Sequence, residues 1–168
     1  METVFEGKHL LVKETDDWQF VERKKGKTAV AVLAMTGDGK VILTEQLRKP
    51  LGKRVIDYPA GLVGDEEGHN DPAESAKKEL EEETGYACES VEHLATGPSS
   101  AGITSEIVSF YRARGVTRKG EGGGVDGEDI KVHTIARDEL VAWLKEKEKE
   151  GILVDLKLWG GLYFLDRD

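Results

Sequence analysis

Residues Thr28 to Thr36 read TAVAVLAMT, a run with no charged side chain and no alternation between polar and apolar positions. Successive side chains of a strand point to opposite faces, so a strand that is apolar throughout is buried on both. That requirement selects a layered fold, with helices covering a sheet from either side. Gly37-Asp38-Gly39 is a turn signal, and Lys40 to Gln46 returns as the next strand. Further strands are predicted over His9 to Lys13 and Trp18 to Glu22, around an Asp16-Asp17 turn. Others cover Arg54 to Tyr58, Ser90 to Thr96, Glu106 to Arg112 and Ile130 to Ile135. Pro59-Ala60-Gly61 stops the Arg54 strand, and a small-residue loop from Gly97 to Gly102 joins two of the later ones. Helices are predicted over Asp71 to Gly85, over Arg137 to Glu150 with Leu140, Val141 and Leu144 inward, and over Leu153 to Leu165. Gly160-Gly161 weakens the last of these. The reading is a mixed α+β fold, with helices flanking a mainly mixed sheet, formed by residues 1–168 as one domain.

Composition narrows the function. The 168 residues carry a net charge of −9, which argues against a broad nucleic-acid surface, since that needs clustered Lys and Arg. A small anionic ligand stays compatible, because a bound cation reverses the local sign of a carboxylate pocket. Cys88 is the single cysteine, so an internal disulfide and a cysteine zinc cluster are excluded. No basic-then-apolar leader opens the chain and no stretch approaches ~18–20 apolar residues, so a cytoplasmic protein without a membrane span is expected.

Asp71 to Tyr86 carries the functional signal. Asp71-Pro72-Ala73-Glu74 is a helix start, with Asp71 as cap, Pro72 in the first turn and Glu74 set for a capping box. Gly85 suits the left-handed stop. Between them lie Glu79, Glu81, Glu82 and Glu83. Glu79 and Glu83, four apart, stack on one face, with Glu82 beside them and Glu81 toward solvent. Like charges so spaced cost a helix about 0.2–0.5 kcal/mol per pair, and a hard divalent cation with a phosphate ligand would supply the counter-charge. Lys145 to Glu150 alternates in sign and reads as a plain solvated surface.

Ala60-Gly61, followed by Lys78-Glu79-Leu80-Glu81-Glu82-Glu83-Thr84-Gly85-Tyr86, resembles the signature of the Nudix hydrolases. That resemblance implies the Nudix fold, an α/β/α sandwich with a mixed central sheet and an N-terminal β-arm, in which residues 60–86 form the Nudix box. Lys78 stands where the family has Arg, which keeps the charge and loses the bidentate fork. Asn70 stands where the family has its first Glu, and eight residues separate it from Gly61 instead of five, so the loop Gly64 to His69 looks like the place of a three-residue insertion.

Thr44 to Arg48, Asp57 to Gly61, Ser100 to Glu106 and Glu128 to His133 are similar to segments of the ADP-ribose pyrophosphatase branch. The resemblance implies Mg²⁺, with Mn²⁺ as a substitute, and hydrolysis of a nucleoside diphosphate sugar at its pyrophosphate. ADP-ribose would give AMP and ribose 5-phosphate; GDP-mannose or a broad range is the alternative. Ala101 occupies the place of a proline frequent in ADP-ribose enzymes, which keeps that alternative open. It further implies Glu79, Glu82, Glu83 and Glu128 as metal ligands with the carbonyl of Ala60, and Glu128, Asp126 or Glu82 as the catalytic base. Arg48 would meet a substrate phosphate and Glu106 the terminal ribose. Arg54 is an electrostatic candidate, and Asp57 and Ser100 lie in the matching substrate-binding segments. Branch members commonly form homodimers that exchange N-terminal strands, here residues 1–27. Trp18 and Phe20 could then stack on a partner's nucleobase, although a Trp in an early strand also suits a core. His69 and His133 read as structural. A non-catalytic sensor of nucleotide sugars is the competing class, and such proteins usually lose the metal glutamates.

Overall fold

A computed structural model describes residues 1–26, 28–64, 71–125 and 127–165. Three strands open the chain, β1 (Glu2–Glu6), β2 (Leu10–Thr15) and β3 (Trp18–Arg23), joined as an antiparallel sheet of their own. Then follow β4 (Thr28–Met35), β5 (Lys40–Arg48), β6 (Lys53–Asp57), β7 (Ala60–Val63) and the helix α1 (Pro72–Thr84). The second half comprises β8 (Tyr86–Ala87), β9 (Ser90–Pro98), β10 (Ile107–Arg114), β11 (Thr117–Arg118), β12 (Ile130–Ala136), α2 (Leu140–Lys149), β13 (Leu153–Val154) and α3 (Leu156–Leu165). The fold is mixed α+β.

The central sheet runs β13-β6-β5-β4-β10-β9, with β12 on β5 and β7 on β4. It is mixed: β10 pairs β4 in parallel, β13 pairs β6 in parallel, and the other pairings are antiparallel. The apolar run is its spine. Val30 to Ala34 are at most 3% exposed. Ala31 and Leu33 point into one core, with Leu43, Tyr58, Leu140, Leu144 and Leu158; Val30, Val32 and Ala34 point into the other, with Ala76, Leu80 and Tyr111. So α1 covers one face, and α2 and α3 cover the other. Burying Leu80 completely is worth about 1.5–3 kcal/mol, and truncating it would cost about 2–5 kcal/mol.

Some expectations are corrected. Val141 is 43% exposed, because α2 starts at Leu140 and rests on the face that Leu140 and Leu144 share, leaving the next residue turned away. Leu153–Val154 form a parallel strand on Val55–Ile56 before α3 begins. Ala60 continues into β7, paired with Thr28 to Ala31, instead of ending the sheet. Trp18 is 58% exposed, outside any core, and its indole N–H donates to the Gly102 carbonyl at 3.3 Å. The Gly160-Gly161 pair does not break α3: an added Cβ at Gly161 would lie 2.5 Å from the Tyr58 ring, so this glycine lets the helix lie against that ring. Asn70, Asp126 and residues 65–69 of the loop that carries the insertion lie outside the described residues. Among the described residues, no helix is long and apolar enough to cross a membrane.

Candidate active site

The site is built where α1 lies over β7. The Asp71 carboxylate accepts from the Ala73 N–H at 2.9 Å, Pro72 occupies the first turn, and Gly85 closes the helix at φ 72°, its N–H donating to the Glu81 carbonyl. The Glu74 carboxylate pairs with Lys77 at 2.8 Å. Ala76 and Leu80 fix the helix on the sheet, and this rotation turns Glu79 and Glu83 toward β7 while Glu81 faces solvent. An added Cβ at Gly61 would sit 1.8 Å from Glu79 Oε1, so the missing side chain is what lets the Glu79 carboxylate lie across the strand. The Ala60 N–H donates to Glu83 Oε2 at 3.0 Å.

Glu83 is only 6% exposed. Burial pushes its carboxyl up to about 8; Glu79 and Glu128 add to the rise, while the Ala60 N–H and Arg48 oppose it. Around these groups opens a cleft of about 650 Å³, within the range of small-molecule sites. Glu79, Glu83 and Glu128 line it with Ala60, and Arg23, Arg48 and Lys157 bring cations to it.

Glu128 is held near its own loop: its carboxylate accepts from the Val125 N–H at 3.2 Å, and its N–H donates to the Val125 carbonyl at 3.1 Å. The glycine-rich segment before it has a defined task. The N–H groups of Lys119 and Gly120 donate to the Gly85 carbonyl, that of Gly123 to the Glu83 carbonyl and that of Gly124 to the Glu82 carbonyl, at 2.7–3.1 Å. These satisfy carbonyls that a helix end leaves without partners. A Cβ on Gly122 would fall 2.3 Å from the Thr84 carbonyl carbon, so only glycine approaches this closely.

The remaining predicted residues divide. Arg48, Asp57, Glu106 and Ala60 line the cleft with the glutamates. Glu106 accepts from Arg23 Nε at 2.7 Å. Asp57, 5% exposed, is raised to about 6 by burial, against the pull of Lys157 at 2.9 Å; Asp155 adds to the rise. Glu82 is not among the residues that line the cleft; its carboxylate lies 3.8 Å from Lys78. Ser99 lines the cleft while Ser100 begins the turn beyond it, its carbonyl accepting from the N–H groups of Ile103 and Thr104. The Arg54 guanidinium is committed elsewhere, to Glu45 and Asp129. Arg23, Asp155 and Lys157 were not singled out from the sequence. Asp155 carries a readable signal, a helix cap accepting from the Lys157 N–H at 2.9 Å, but nothing local ties it to a cleft.

Among the described residues, no three Asp, Glu, His or Cys side chains already form a metal-binding group. The arrangement accounts for this: Glu83 is turned onto the Ala60 amide and Glu128 onto the Val125 amide. The donor set still fits a hard cation. It is all oxygen, it comes from α1 and the Glu128 loop, and one carboxylate is buried where its neighbours disfavour its ionised form. Glu79, Glu83 and Glu128, which line one cleft, are the residues that could hold such an ion.

The NUDIX domain model matches residues 25–156, which span the central sheet, α1 and all of the cleft's lining but Arg23 and Lys157. The chain belongs to the NUDIX family. It is a hydrolase acting on phosphorus-containing anhydrides, and Nudix hydrolases generally need a divalent metal. It is 37% identical over 157 residues to the methanol dehydrogenase activator of Bacillus methanolicus, covering 87% of this chain and 81% of that one. It is 32% identical over 121 residues to the ADP-ribose pyrophosphatase of Bacillus subtilis (strain 168), covering 71% and 64%. The crystal structure of an ADP compounds hydrolase superposes with a TM-score of 0.64 at 16% identity, covering 84% of this Nudix chain and 80% of that one, a likeness of fold.

Proposed function

We propose that this Nudix hydrolase cleaves the pyrophosphate of nucleoside diphosphate sugars, converting ADP-ribose and water to AMP and ribose 5-phosphate. The observation that carries the reading is the seating of Glu79 over Gly61 and Glu83 on the Ala60 amide, in a cleft that Arg23, Arg48 and Lys157 also line. Carboxylates gathered in this way suit a cation–pyrophosphate complex, and the cations suit its outer oxygens. Glu79, Glu83, Glu128 and the Ala60 carbonyl would hold Mg²⁺ or Mn²⁺, with Glu82 alongside. Bound there, the metal would polarise the phosphoryl oxygens and lower the pKa of a water.

The chain's own residues supply the rest. Arg48 draws a phosphate into the cleft. Glu106, fixed by Arg23, offers a carboxylate to sugar hydroxyls. Glu128, where it leaves the ion to the other ligands, takes the proton of the attacking water, with Asp126 or Glu82 as the competing base. The exposed Phe5 and Trp18 of the β1–β3 arm and Ile103, whose carbonyl accepts from the Val21 N–H of β3, at 62%, 58% and 64%, support a homodimer with exchanged arms and Trp18 against a partner's nucleobase.

The test is a panel of ADP-ribose, GDP-mannose and other nucleotide sugars, incubated with Mg²⁺ and read by chromatography. The reading expects nucleoside monophosphate and sugar phosphate in equal amounts; intact substrates throughout would refute it. The relative at 37% identity favours a second reading, in which the chain activates an alcohol dehydrogenase. Under it, adding the protein raises the turnover of a methanol dehydrogenase. If hydrolysis underlies that effect, Glu83→Gln abolishes it.

A further inference from the structure

Arg54, read from the sequence as an electrostatic partner of substrate, points away from the cleft in a geometry that assigns it another task. Its guanidinium uses four of its five N–H groups on two elements of the fold. Nε donates to the Glu45 carboxylate and Nη2 to the Glu45 carbonyl at 2.9 Å. Nη1 donates to the Asp129 carboxylate at 2.6 Å, and Nη2 again to the Asp129 carbonyl at 3.2 Å. Glu45 is 3% exposed within β5 and is also bound by His133 Nε2 at 2.9 Å, so the anchor is a fixed part of the sheet. Asp129 is the neighbour of Glu128.

The segment that carries Glu128 is therefore tied at both ends. Its upstream end hangs from the last carbonyls of α1 through Gly123 and Gly124. Its downstream end is held by Arg54 on Asp129. The first tie sets the loop relative to Glu79 and Glu83; the second sets it relative to β5 and β6.

We infer that Arg54 is a positioning residue for Glu128, acting through Asp129 and touching neither substrate nor metal; this rests on the role given to Glu128 above. A lysine keeps a cation beside Glu45, but a single ammonium cannot span four acceptors on two elements. Supporting groups of this kind typically alter activity about 10–100-fold.

The experiment is a mutant cycle of Arg54→Lys, Glu128→Gln and the double variant, assayed on ADP-ribose with Mg²⁺. R54K should lower kcat about 10–100-fold and leave KM within about threefold. In the E128Q background the same change should cost less than about threefold, because the group it positions is gone. Full activity in R54K overturns the inference, as does an equal loss in both backgrounds. Amide hydrogen exchange reads the same claim without turnover. R54K should speed exchange at the Glu128 amide and leave Gly123 and Gly124 protected. Unchanged protection at Glu128 overturns the inference, even in a protein that cleaves nothing. If the unaltered protein cleaves no nucleotide sugar, the functional reading fails, and the exchange result still decides the structural one.

Discussion

Replacing Gly61 by Ala separates catalysis from folding. The new Cβ would stand 1.8 Å from Glu79 Oε1 and 1.9 Å from its carboxyl carbon. To regain a contact of 3.0–3.4 Å the carboxylate must retreat by roughly 1.2–1.6 Å. It is the end of a flexible side chain on a half-buried position, so the retreat needs no backbone movement. Gly61 is also not among the glycines with positive φ, so alanine fits the backbone and even restricts the unfolded chain, worth about 0.4–1 kcal/mol. Stability should therefore stay within about 1 kcal/mol of the parent. A misplacement of about 1 Å at a group that orders a reaction centre costs about 100-fold, or about 2.7 kcal/mol of transition-state stabilisation. Steady-state hydrolysis of ADP-ribose across a Mg²⁺ titration, beside urea unfolding, reads both quantities. Parent-like kcat and Mg²⁺ dependence in Gly61→Ala would refute the seating of Glu79. So would a stability loss large enough to explain the activity loss.

Other outcomes follow from the same geometry. Glu83→Gln keeps an oxygen for the Ala60 N–H, so it should fold normally and lose turnover by orders of magnitude in the same hydrolysis assay. Without metal, a buried carboxyl raised from 4.5 to about 8 favours its protonated form in the folded state. The unfolded chain releases that proton near 4.5, so stability should fall by up to a few kcal/mol as pH rises from about 4.5 to about 8. Urea unfolding in chelator at pH 5 and pH 8 checks this, and Glu83→Gln should flatten the slope. Gly122→Ala meets the α1 backbone at 2.3 Å with φ at 72°, so it should cost about 1–3 kcal/mol in denaturant unfolding. Lys157→Met removes the partner 2.9 Å from the buried Asp57 and should destabilise the fold by about 3 kcal/mol at neutral pH by the same measure.

How much was legible in the sequence depended on the reach of the signal. The double-faced strand and the capped acidic helix are local patterns, and each lies where periodicity and caps put it. The short strands β7, β8 and β11 were not legible, because two to four residues carry no period and exist through their partners. Glycine was the most misread residue. Gly61 and Gly161 look like turn or breaker signals, yet each admits a neighbour at a distance where a Cβ would collide. Arg54 and Lys157 show the same limit for charge. Arg54 reads as a substrate-facing cation and Lys157 carries no signal in one dimension, yet both are paired by residues far along the chain or across the sheet.

The central claim is that Glu79 and Glu83 hold the reacting ion against β7. The most direct measurement is anomalous diffraction from a crystal soaked in Mn²⁺. The account predicts a peak bounded by the carboxylates of Glu79 and Glu83 and the Ala60 carbonyl, lost in the E79Q/E83Q double variant. A manganese peak elsewhere in the fold, with this position vacant in a crystal whose protein hydrolyses ADP-ribose, would contradict it.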